Sequence, residues 1–117
     1  MSDAPAVPPS VRSFVTEQIS SIEQLEVLLF LRVNPARGWT AAEVSGELRG
    51  SPLSVLRRLG DLRDRGFLRS VEGVEEATFV YSPRTPELAD AVTELASTYA
   101  VRQHAIIRLI FSRSLTP

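Results

Sequence analysis

A chain of 117 residues has the length of one domain, and 44% hydrophobic with 23% charged residues is the composition of a soluble globular protein. The absence of cysteine excludes disulfides, thiol redox sensing and cysteine metal sites, and all 13 cations are arginine. A formal net charge of −1 is low for a module that holds nucleic acid, so such a role requires the arginines to be gathered on one face.

The opening MSDAPAVPPS has neither the basic nor the apolar region of a secretory signal, which makes the cytoplasm the expected location. Residues 1–9 hold three prolines and little bulk, the composition of a disordered arm. Ser10 can cap a first helix over about 11–19, with Val11, Phe14, Val15 and Ile19 on one stripe. Ser21 and Gln24 have the spacing of a capping box and open a second helix over 22–33. Its run Val27 to Leu31 is apolar on every side, which predicts a central, buried helix, and is far too short to span a bilayer. Asn34-Pro35 stops it, and Gly38-Trp39-Thr40 can supply a short strand.

Thr40 and Glu43 have the spacing of another capping box, with Val44 and Leu48 on one face behind it. Arg49-Gly50 breaks this helix of about 41–48. Ser51 then caps a further one with Pro52 at its first position. Val55, Leu59 and Leu62 share the inner face of this helix of about 52–65, which predicts Ser54, Arg57, Arg58 and Asp61 on the outer face. Gly66 ends it. Phe67 to Tyr81 alternates as two strands around the turn Glu72-Gly73. Thr85-Pro86-Glu87 is a helix start, and nothing before about Arg113 breaks the helix it opens. That helix of about 27 residues spans roughly 40 Å, more than so small a core covers. Leu88, Val92, Leu95, Tyr99, Ile106, Leu109 and Ile110 form its apolar stripe and are the expected dimer interface.

The order of helix, helix, short strand, helix, helix, hairpin and long helix resembles the winged-helix bacterial transcription regulators of the MarR, ArsR and PadR types, most closely over residues 39–82. In those regulators the inter-helix turn usually pairs a glycine with an aliphatic residue; here Arg49-Gly50 brings no aliphatic side chain to the core. The expected fold is therefore mostly α with a small β-hairpin wing. It comprises an arm over 1–9, a winged-helix domain over 10–82 and a C-terminal dimerisation helix over 83–117 packed into the same unit. The resemblance implies a homodimeric, sequence-specific transcription regulator that binds double-stranded DNA. Its second motif helix then enters the major groove, with Arg49, Ser51, Pro52, Ser54, Arg57 and Arg58 as the expected DNA contacts. Arg37, before the short strand, is a further candidate for phosphate.

The hairpin tip Glu72-Gly73-Val74-Glu75-Glu76 runs against this, because three carboxylates repel phosphate. It leaves a second reading, a winged helix that binds a protein through the acidic wing or the C-terminal helix. No enzyme is indicated. One histidine, His104, and no cysteine make no metal or nucleophile constellation, no glycine-rich phosphate loop follows a strand, and no cofactor is expected. No membrane partner is expected, and the sequence does not name a small-molecule effector.

Overall fold

The computed structural model describes residues 7–115. Eight elements follow in the order α1 (Pro9–Gln18), α2 (Ile22–Val33), α3 (Ala41–Leu48), α4 (Pro52–Asp64), β1 (Leu68–Val71), β2 (Thr78–Tyr81), α5 (Pro86–Val101) and α6 (Gln103–Leu115). They form two layers. One holds α2, α3, α4 and the hairpin; the other holds α1, α5 and α6, with α1 packed on both C-terminal helices.

The caps explain most boundaries. The Thr40 hydroxyl accepts from the Glu43 amide at 3.1 Å, and the Glu43 carboxylate accepts from the Thr40 amide at 2.9 Å, so the capping box of α3 is complete. Ser51 caps α4 and Thr85 caps α5, each with proline in the first turn. At α2 only half of the expected box forms. The Ser21 hydroxyl accepts from the Gln24 amide at 3.0 Å, but the Gln24 side chain accepts from the amide and hydroxyl of Ser20 instead of the Ser21 amide.

The strands pair antiparallel, with Leu68 opposite Tyr81 and Val71 opposite Thr78. Trp39 adds the expected short third strand as a single bridge to Phe79, with reciprocal bonds of 2.9 and 2.8 Å. Its indole packs edge-on against Phe30, with ring centroids 4.9 Å apart, and donates to the Asn34 carbonyl at 3.1 Å. The strand that enters the motif is thus tied to both the wing and α2.

Two expectations are corrected. Residues 1–6 of the expected arm lie outside the described residues, but Val7 is buried in the core and Pro9 opens α1, so the ordered fold begins before residue 10. The expected single C-terminal helix is two helices, broken at Arg102, where φ is −131° and ψ is 43°. The break turns α6 back onto α1 and buries Ile106 and Ile110. Burying a large aliphatic side chain contributes about 1.5–3 kcal/mol, against about 1 kcal/mol net for each helical hydrogen bond lost. Burial wins, although no glycine or proline marks the position.

Gln24 is the core's main polar member and is fully buried. Its oxygen is held by Ser20 and its amide donates to the Asp61 carboxylate on α4. Gln24→Leu is expected to leave Asp61 and the Ser20 amide short of partners and to cost about 1–3 kcal/mol. The measurement is urea denaturation followed by circular dichroism; an unchanged midpoint would show that solvent replaces these bonds without penalty.

Candidate nucleic-acid interface

The α3–turn–α4 unit has the geometry of a helix-turn-helix. Arg49 ends α3 in the left-handed conformation, with φ of 61°, and the Gly50 amide closes on the Ser45 carbonyl at 3.2 Å. The Ser45 hydroxyl donates back to the Gly50 carbonyl. The turn is therefore held by polar bonds in place of an aliphatic plug. Val44, Val55, Leu59 and Leu62 bury the inner faces of the two helices.

The outer face of α4 is rotated from the sequence expectation. Leu53, Leu56, Arg57, Arg63 and Asp64 are exposed, whereas Ser54, Arg58 and Asp61 lie on the flank that meets α2. Glu23 of α2 accounts for two of the three. Its carboxylate accepts from the Ser54 hydroxyl and from Arg58 Nε, the latter at 3.0 Å. Asp61 accepts from Gln24 and from Arg65 Nε at 3.1 Å, and Arg65 also reaches the Gln18 side chain at 3.1 Å. The residues expected to face DNA at positions 54 and 58 are thus engaged within the chain.

Arg49, Ser51, Pro52 and Arg57 remain exposed. Among the described residues neither Arg49 nor Arg57 forms a salt bridge or side-chain hydrogen bond. Arg37 does: it pairs with Glu43 at 3.1 Å, and its guanidinium carbon stands 3.6 Å from the centroid of the Trp39 ring. The wing tip is fully solvated, with Glu72, Glu75 and Glu76 all exposed and Arg69 exposed at its base.

The expected interface residues divide. Val92, Leu95, Ile106 and Ile110 are buried inside this one chain, so they offer no free surface; Leu88, Tyr99 and Leu109 are partly exposed. The stripe was read as continuing along one straight helix, and the break at Arg102 turns its second half inward. Apolar surface left on the C-terminal helices lies instead at Val101, 73% exposed, and Phe111, 56% exposed. His104 is exposed. No group of three or more metal-ligating side chains occurs among the described residues, and none of their helices is long and apolar enough to cross a membrane.

Sequence reasoning missed Glu23, Leu53 and Leu56. The leucines were legible, since on a helix of 3.6 residues per turn positions 53 and 57 lie opposite 55, 59 and 62, and position 56 falls on the flank between those two faces. Glu23 carried no local signal, because its partners are 31 and 35 residues away.

Hydrogen bonding from Ser54 first, and then the Arg58 guanidinium, holds the Glu23 carboxyl below its ordinary value of 4.5, against an opposing push from burial. A carboxylate held low stabilises the fold fully above that ordinary value, and the contribution is lost as pH falls through the depressed value. Glu23→Gln is therefore expected to flatten the decline in stability below about pH 4.5. Thermal melts of both proteins between pH 3 and 6 measure this, and parallel curves would remove Glu23 from the account.

No family model and no curated protein sequence matches the chain. Solved structures do. The Staphylococcus aureus MepR–DNA complex superposes with a TM-score of 0.60 at 14% identity, over 90% of this chain and 87% of that one. A mutant MarR from E. coli gives 0.60 at 16% identity, over 91% and 74%. Reduced HlyU from Vibrio cholerae gives 0.55 at 14% identity, over 80% and 90%. Six helices, a two-stranded wing and these likenesses establish that the chain has the winged-helix fold found in MarR-type regulators.

Proposed function

We propose that the chain is a DNA-binding transcription regulator that acts as a homodimer, with α4 in the major groove. The observation that carries this reading is the exposed Arg57 on the outer face of α4, which makes no salt bridge or side-chain hydrogen bond among the described residues and feels Glu23 only as a longer-range attraction, with Arg49 in the turn before it. A fold shared with MepR, which is solved on DNA, supports a DNA partner. Arg57 has the fork geometry to bind guanine O6 and N7, while Arg49, Ser51 and Pro52 lie where a phosphate backbone passes. Ser54 and Arg58 reach DNA only by giving up Glu23, so their role is to fix the tilt of α4. Partly exposed Leu88, Tyr99 and Leu109, with Val101 and Phe111, supply the apolar surface for a second copy. Two such subunits would set their α4 helices about one turn of B-DNA apart, on a near-palindromic site.

The acidic wing favours a second reading, a winged helix that docks on a cationic protein surface. The two separate experimentally. Fluorescence anisotropy on random duplex at low salt is expected to give weak binding with a log–log salt slope equivalent to about 3–5 phosphates per subunit. Arg57→Ala is expected to cost about 1–3 kcal/mol on a preferred site, and Arg58→Ala less. Absence of duplex binding at tens of micromolar would leave the protein-docking reading standing.

Sedimentation velocity tests the oligomer independently. The wild type is expected to run as a dimer at tens of micromolar, and Val101→Asp with Phe111→Asp to run as a folded monomer. A wild-type monomer at that concentration would defeat the dimer and with it the palindromic site.

A further inference from the structure

Two large apolar side chains stand in solvent on the helix just assigned to DNA. Leu53 is 69% exposed and Leu56 46% exposed. Three residues apart, they are neighbours about one turn apart along the helix, with Leu53 on the face opposite Val55, Leu59 and Leu62 and Leu56 at the edge of that face. Arg57 shares that face, and Arg49 stands in the turn before it. The polar side chains beside them are already engaged: Ser54 and Arg58 by Glu23, and Asp61 by Gln24 and Arg65. The leading half of α4 therefore offers one guanidinium and two aliphatic groups, with few free hydrogen-bonding heads.

Of the four bases, only thymine displays a methyl group in the major groove. We propose that Leu53 and Leu56 contact thymine C5-methyl groups and make the chain select thymine-bearing steps next to the base pair read by Arg57. This rests on the reading of α4 as the DNA-contacting helix. Charge supports that occupant, because Arg57 adjoins Leu56 in the helix and Arg49 stands in the turn before it, both exposed and neither in a salt bridge, and a polyanion satisfies the arginines while its thymine methyls cover the leucines. A cationic protein surface would cover the leucines and leave both arginines opposed by like charge.

The experiment uses the full chain and duplex DNA enriched by it from a random pool. Each thymine of the enriched duplex is then replaced in turn by deoxyuracil, which removes the C5-methyl and keeps the pairing edge and O4. At one or two positions the wild type is expected to bind about fourfold more weakly for each methyl lost, the weight of one buried carbon. Leu53→Ala and Leu56→Ala, both at exposed helix positions where alanine is well tolerated, are expected to bind thymine and uracil duplexes equally at the matching position. Enriched duplex that wild type binds equally well with uracil at every position would overturn the proposal and leave DNA binding intact. A pool from which nothing is enriched, with no binding to any duplex, would overturn this proposal and the DNA reading together.

Discussion

The position of α4 relative to α2 depends on a polar seam built from two adjacent residues. Glu23 takes hold of Ser54 and Arg58, and Gln24, buried beside it, takes hold of Asp61. The apolar contacts of Val55, Leu59 and Leu62 supply most of the attraction but little direction, since burial scales with area and not with angle. The hydrogen bonds supply the direction. Each is worth only about 1 kcal/mol net when made, but fully buried Gln24 left without its partner costs more, so a slipped or rotated helix is penalised. The seam extends through Arg65 to the carbonyl of Glu17 and the side chain of Gln18, which ties the outer end of α4 to α1.

The same choice between area and direction sets the C-terminal layer. Neither proline nor glycine forces α5 and α6 apart; the gain is the burial of Ile106 and Ile110 against α1. Ser10 adds one directional contact, its hydroxyl donating to Glu94 at 2.9 Å, where α1 crosses α5. The C-terminal segment, read as a dimerisation helix within the same unit, thus supplies Val92, Leu95, Ile106 and Ile110 to the core of its own chain. Its remaining exposed apolar groups are few and are concentrated at the break and near the end of α6.

Much of the fold was legible because helix ends are local. Ser21, Thr40, Ser51 and Thr85 each accept from an amide three residues on, a contact visible in any window of four residues. The bounds of α2 and α3 follow from them. What was not legible depends on distant partners. The face that α4 shows to solvent is set by Glu23, more than thirty residues away, so Ser54 and Arg58 seemed free in the sequence and are held in the structure. The break at Arg102 arises from packing against α1, some ninety residues earlier in the chain, and no local residue announces it. The half-formed box at Ser21 has the same cause: Gln24 is drawn toward Asp61 and holds Ser20 instead.

The turn before α4 has a cost that bears on how this protein can change. Arg49 occupies a left-handed backbone at φ 61°, where a side chain costs about 1–2 kcal/mol relative to glycine. The glycine sits one residue later, at Gly50, where a Cβ would come within 2.9 Å of the Glu23 carboxylate and 3.2 Å of Val55. The two demands, tolerance of left-handed backbone and absence of a side chain, fall on neighbouring positions, and one glycine cannot meet both. Exchanging the pair would relax the backbone at 49 and push an arginine into the Glu23 seam at 50. Glycine at both positions would relax the strain at 49, loosen the hinge between the helices and remove a surface cation. The strain at Arg49 therefore places thermal robustness and surface charge in opposition at one residue, and sequence drift toward a sturdier turn runs toward a less cationic one.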